Sequence, residues 1–332
     1  MSTVLVVPTW PIQASLLTFW ADAPDAASTK GRTALGLLIG GAALADSNTS
    51  IISQNGTNNA ASVTQNDGDG NQAGSVARPM TQLGYRNRIT ITQSGDDNQI
   101  GLEENVHGAP HGVNQSALNV GASQTTLHNQ LTVTQSSDDN VVGAVRQIHT
   151  GDTQLGTNIA SITQGGSGNH TIGSLSQSKG SSSGNSAIIS QTGADNTITR
   201  IFQRARAGSN TPNRLTVTMS GNDNGNGILT GPSEASGAES STIIQSDISV
   251  LGRNNQANLT ISGNSNQFGV SQFNVSNTVG NLVISGNDNQ VGTYQHGTGN
   301  AISLAEVAGD LNNIGIRQVG NTNNGSVFVD GD

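Results

Sequence analysis

The chain has 332 residues, of which 33% are hydrophobic, 3% aromatic and 11% charged, with a formal net charge of -9. Ordinary globular domains run to about 45–50% apolar and about 25% charged, so a conventional large core is excluded, and the low charge excludes the usual disordered class. The acidic balance argues against a phosphate-backbone partner, so no nucleic acid is expected, and the absence of cysteine removes disulfides, thiolate catalysis and thiolate metal sites.

The first predicted element is a leader. Lys30-Gly31-Arg32 is followed by a short apolar run, residues 33–42, and then Ala43-Leu44-Ala45 before Asp46. A basic start, an apolar stretch too short to cross a bilayer and small residues at the cleavage positions make a secretory signal, cut after Ala45. Residues 1–28 hold Trp10 and Trp20 and match nothing downstream, so the expectation is a start of translation after Met1, with an unusually long n-region as the alternative. The competing reading of residues 33–45 is a buried helix. The division is therefore 1–45, extension plus signal peptide, and 46–332, a repeat domain without a membrane span.

From Asn48 onward one frame recurs: Asn, any, apolar, any, apolar, any, Gln, any, Gly, any, any, Asn. Its period of two predicts a half-buried strand followed by a turn. The clearest copy has Asn87, Ile89, Ile91, Gln93, Gly95 and Asn98; the next has Asn129, Leu131, Val133, Gln135 and Asn140. Others begin at Asn48 (Gln54, Asn59), Asn158 (Gln164, Asn169) and Asn185 (Gln191, Gly193, Asn196). At Asn213 and Asn255, Met219 and Ile261 stand where Gln is expected, and looser copies start near Thr278 and at Asn300, with Ile302 and Leu304 as the apolar pair.

A second strand follows each turn, clearest in Asn266 to Gln272, Asn289 to Gln295 and Asn312 to Gln318. Each unit reads as strand, turn, strand, one rung of a flattened two-sheet β-solenoid, so the fold class is all-β. Nine rungs at about 4.8 Å predict a stack of roughly 40 to 45 Å. Turns such as Ser94-Gly95-Asp96-Asp97-Asn98 suit left-handed backbone. Spacing is uneven, about 22 residues near the C-terminus and near 28 in the middle. The long gaps at 101–128 and 225–254 predict loops pushed out sideways or degenerate rungs, such as the stretch from Asn114 to Leu118. Residues 178–184 read as a short low-complexity loop, and residues 325–332 as a final half-rung or an acidic brake on docking.

Stacked rung on rung, the frame's Asn and Gln form amide columns in which each side chain donates to one neighbour and accepts from the other, satisfying polar groups costly to bury. This pattern resembles the curlin repeat of bacterial curli fibres, most closely over 185–203 and 255–272 and least near 101–124. The resemblance implies an exported subunit that polymerises into extracellular amyloid supporting biofilm and cell adhesion. Its partners would be other copies of itself, a nucleator subunit and an outer-membrane secretion pore, and its place the cell surface or medium, reached through the periplasm. Curli subunits usually carry a Gly-rich segment between signal and repeats, whereas here Asp46-Ser47 runs almost directly into the first repeat. The uneven rungs also fit a minor or nucleating subunit.

Catalytic, metal and cofactor sites are not expected. Gly180-Ser181-Ser182-Ser183-Gly184 matches a nucleophile-elbow string without its strand-to-helix context. His107 and His111 are separated by Gly-Ala-Pro, against a shared helical face. The Asp67 to Asn71 stretch resembles the start of a calcium loop, yet its twelfth position is Arg78 rather than Glu. Arg200, Arg204, Arg206 and Arg214 read as a solvated edge or loop. The main rival function is a monomeric solenoid binding ice or polysaccharide through outward rows of Thr90 and Thr92, Thr132 and Thr134, Thr216 and Thr218, and Thr260 with Ser262. The plainer reading of those rows is that hydroxyl side chains suit a solvated strand face.

Overall fold

The computed structural model describes residues 47–102, 112–117, 127–150, 156–180, 184–205, 212–245 and 254–331, with the backbone of Leu17–Trp20. Two parallel sheets stack face to face and the chain alternates between them. Sheet I runs from Thr49–Thr57 to Asn313–Val319, and Leu17–Trp20 pairs with the backbone of its first strand. Two of its rungs are split into collinear pieces, Gln72–Ala73 with Met80–Tyr85 and Gln99–Ile100 with Val113–Ala117. Sheet II has ten strands, from Ala60–Gln65 to Asn324–Asp330.

The alternation of the sequence becomes columns because every strand pairs in register with the next. Ile89, Leu131, Ala160, Ala187 and Leu215 form one inward column of sheet II, and Ile91, Val133, Ile162, Ile189 and Val217 the next. Val145, Leu175, Ile201, Ile243 and Val270 face them from sheet I, all fully buried. At about 1.5–3 kcal/mol for each buried Val, Leu or Ile, these columns supply the apolar driving force, and no single rung could bury them alone.

Three features differ from the sequence reading. Thr49–Thr57 belongs to sheet I, not sheet II, because both it and Ala60–Gln65 satisfy the same alternating frame ending in Gln; with Asn324–Asp330 as a full strand, sheet II has ten levels rather than nine. Leu304 faces solvent, 37% exposed, because the pairing shifts between Ile302 and Ala305 and carries Ala305 inward instead. The gap at 225–254 holds a short rung of sheet I, Thr242–Gln245, in line with the degenerate-rung reading, but residues 225–241 are not a loop pushed out sideways: they fold back as a strap, with the short helix Gly231–Ala235, over the outer face of sheet I.

The strap lies on a track of three glycines in consecutive strands, Gly269, Gly292 and Gly315. A Cβ on them would sit 2.4, 2.1 and 1.9 Å from the carbonyl oxygens of Glu239, Ser233 and Pro232. Backbone amides of Gly227, Thr230 and Ser233 donate to the side-chain oxygens of Gln267, Gln290 and Asn313, each at 2.8 Å. In the second long gap, Val113–Ala117 forms a strand piece of sheet I; residues 103–111 and 118–126, with His107 and His111, lie outside the described residues.

Candidate functional site: amide ladders, turns and open faces

A continuous glutamine ladder runs the length of sheet I. Gln54, Gln82, Gln115, Gln147, Gln177, Gln203, Gln245, Gln272, Gln295 and Gln318 are joined Nε2 to Oε1 by bonds of 2.5–3.0 Å, each donating toward the C-terminal end. Nε2 also donates to the backbone just after the Asn that opens a sheet II strand: Gln147 to Gln130 O, Gln177 to Ile159 O, Gln203 to Ser186 O. Each glutamine thus ties its rung to the next and closes the corner between the sheets.

Sheet II carries a shorter ladder. Gln65, Gln93, Gln135, Gln164 and Gln191 are linked at 2.9–3.0 Å. In register beyond Gln191 come Met219, Ile261, Ile284, Val307 and Val329, so the column turns apolar halfway up the stack.

Two asparagine ladders run with the opposite sense, each residue donating to Oδ1 of the rung before. One joins Asn59, Asn87, Asn129, Asn158, Asn185, Asn213, Asn255, Asn277, Asn300 and Asn323 at the entrance to sheet II. The other joins Asn48, Asn71, Asn98 and Asn140 and, farther up, Asn196, Asn224, Asn266, Asn289 and Asn312 at the entrance to sheet I. Of the sequence-expected positions, Asn169 alone is not in a ladder. It takes the left-handed turn conformation, φ 58°, and its neighbour His170 fills the column.

His170 imitates an asparagine. Its backbone N–H donates to Asn140 Oδ1, its Nδ1 accepts from the Asn196 N–H, and Nε2–H donates to Gly165 O at 2.7 Å. That pattern fits the neutral ring, and burial holds its pKa below the usual histidine value despite the opposing pull of the Gly165 carbonyl and Asp195. At the other corner His128 and His149 meet Nδ1 to Nδ1 at 3.0 Å, both Nε2 atoms buried without a hydrogen-bond partner among the described residues. Burial first, then the nearby Lys179, pushes His128 down to about 4 and His149 to about 3, while burial lowers Lys179 to about 8. No sequence signal paired these histidines, since they stand on opposite sides of a corner.

The turns need glycine twice over. Gly193, Gly221, Gly263 and Gly286 have φ from 91° to 99°, and a Cβ on Gly193 would lie 2.0 Å from the Gly221 carbonyl oxygen one rung on. Gly95 has φ 93° in the same place lower down. Asp67 to Asn71 is one of these turns, with Asp67 left-handed at φ 57°.

Outside, the two faces differ. Sheet II presents Thr64, Thr92, Thr134, Thr163, Ser190, Thr218 and Thr260 in one unbroken column, and Ser62, Thr90, Thr132 and Ser161 beside it before Ile188 interrupts. Ser262 is not part of that surface; its hydroxyl turns to Ile284 O at 3.4 Å. Sheet I instead shows Arg146, Arg200, Phe202, Phe273, Tyr294 and Arg317. Arg214 is on sheet II, so the basic residues from Arg200 to Arg214 do not make one edge. No helix among the described residues is long and apolar enough to cross a membrane. Compared with family models, curated proteins and solved structures, the chain has no match.

Proposed function

We propose that this protein is an exported structural subunit that polymerises into extracellular, curli-like amyloid fibres supporting biofilm and adhesion. The observation that carries the reading is the open end of the stack. Asn313–Val319 and Asn324–Asp330 are the last strands of their sheets, each paired on one side only among the described residues, with Val319 54% and Phe328 64% exposed. Unpaired edges of this kind template another chain. The ladders give the edge a direction: every asparagine that has a rung above it in its column offers Oδ1 to that rung, and Asn312 and Asn323 are the last of their columns among the described residues. In a second copy, Asn48 and Asn59 head the same columns and supply the missing donors. Purified protein beginning at Asp46 is expected to form thioflavin-positive fibres with reflections near 4.8 Å and near 10 Å; protein that stays monomeric over days sinks this reading.

The unbroken hydroxyl column of sheet II favours one rival, a monomeric solenoid that holds ice or polysaccharide on that face. Thermal hysteresis in the same preparation, without fibres, would decide for it.

A further inference from the structure

The strands of sheet I carry side-chain charge in one sense only, and the strap brings them an acid, Glu239, 3.9 Å from Arg200. None of its strands contains Asp or Glu, although the chain as a whole carries a net charge of -9. Acids gather instead in the turns that lead from sheet II to sheet I, Asp96, Asp97, Asp138, Asp139 and Asp195 among them. The face is also where the scarce aromatics sit. Phe273 and Tyr294, on adjacent rungs, have ring centroids 5.4 Å apart, and His296 lies 6.5 Å from Tyr294. Arg317 stands 5.5 Å over the Tyr294 ring and Arg200 5.2 Å over Phe202. Phe202, Phe273, Tyr294 and His296 are all half-buried.

We propose that this face binds an acidic polysaccharide. The rings offer flat apolar surface to the C–H faces of successive sugars, and guanidiniums poised over rings pair with carboxylates, the planar fork matching them two bonds at a time. Phe202, Ile244, Ser271, Tyr294 and Arg317 share one column, with Phe273 and His296 beside it, and such a line of contacts suits an extended repeating ligand lying along the stack. Charge complementarity selects an anionic chain over a neutral one. A nucleic acid fits less well: its phosphates follow one another at about 3.4 Å per strand, whereas these arginines are separated by several rungs and an acidic turn edge flanks them. Beside these rings lies the strap, with Gly237 against Tyr294 and Glu239 3.9 Å from Arg200. Hydroxyl-rich sheet II has one ring among its described strands, Phe328 in its last strand, so strand propensity alone does not explain the difference between the faces.

The proposal rests on the face of a single chain, so it stands or falls whether or not fibres form. The full chain would be run in affinity gels cast with polygalacturonate, with its methyl-esterified form, or with single-stranded DNA. Retardation by polygalacturonate is expected, weakened about tenfold by esterification and again on raising salt from about 50 to about 300 mM. Arg317→Gln, at an exposed position, and Tyr294→Leu should each weaken it about tenfold with unchanged circular dichroism, while Arg214→Gln on sheet II should leave it unaltered. Equal binding to both forms of the polymer, tighter binding to DNA, or an Arg214→Gln loss matching that of Arg317→Gln overturns the proposal.

Discussion

Sheet I keeps glutamine at every level of its ladder, whereas sheet II gives it up after Gln191 and continues with Met219, Ile261, Ile284, Val307 and Val329. The two corners explain the difference. From sheet II to sheet I the chain reverses through a tight turn that closes itself: Asn224 Nδ2 donates to Ser220 O and to Gly263 O, and Asn266 Nδ2 to Ser262 O and to Gly286 O. From sheet I to sheet II the connection varies, with residues 150–157 and 180–184 between consecutive strands in the middle of the stack. There the glutamine itself fastens the corner, through its second N–H. At these variable corners in the middle of the stack, the ladder side chain supplies fastening that the turn does not.

The largest expected effect is therefore at Gln177. Gln177→Leu leaves Gln147 Nε2, Gln203 Oε1 and Ile159 O without their partner. Each buried orphan costs about 1–3 kcal/mol, and after the gain from a buried leucine a net loss of about 4 kcal/mol is expected. Gln295→Leu removes equivalent bonds, to Gln272, Gln318 and Thr278 O. Its corner is also held by Asn300 Nδ2 on His296 O and Gly320 O, so the loss should be nearer 2 kcal/mol. Denaturant midpoints for both variants measure the gap; equal losses would remove the corner explanation.

Acid should act on both corners, at the touching histidines and at His170. The unfolded chain takes up protons near 6.5, but folded His128 and His149 resist until about 4 and about 3. The unfolded state binds more protons between those limits, so the stability that depends on these two histidines is complete above 6.5, falls as pH drops through that window, and levels off below about 3. His149→Gln should flatten part of the slope in denaturant midpoints measured against pH. His170→Asn should flatten a further part, because protonating Nδ1 there would set a donor against the Asn196 N–H, and asparagine restores the ladder residue. An unchanged slope in both variants would show that other groups carry the acid sensitivity.

Much of this was legible from alternation and from Gln and Asn at fixed offsets, which placed Gln93, Gln135 and Gln164 in one column and Gln272, Gln295 and Gln318 in the other before any coordinates. What escaped were features that depend on which neighbour a residue meets. Asn169 and His170 are adjacent, and only the turn geometry decides which enters the ladder. Two successive segments ending in Gln made the phase near Asn48 ambiguous, and a shift in pairing turned Leu304 outward. Gly269, Gly292 and Gly315 read as ordinary turn or strand glycines; their role as a track for the strap depends on contacts reaching across 83 residues, as between Asn313 and Thr230. Local pattern carries no signal for pairs that distant.

The smallest expected effect is the sharpest test of the comparison. Gln191 Nε2 donates to Asn196 O, and its second N–H faces the Met219 side of the column. Met219→Gln would extend the ladder by one level, giving that N–H an Oε1. The new Nε2 could reach Asn224 O by the same five-residue reach that Gln191 uses, but its remaining proton would face Ile261. One neutral hydrogen bond gained, about 1 kcal/mol, is offset by one donor facing an apolar neighbour and by the lost burial of methionine. The change in stability should fall within about 1 kcal/mol of zero. A gain well above that would mean sheet II lost its glutamines at a cost to stability, and that self-closing turns do not account for the switch.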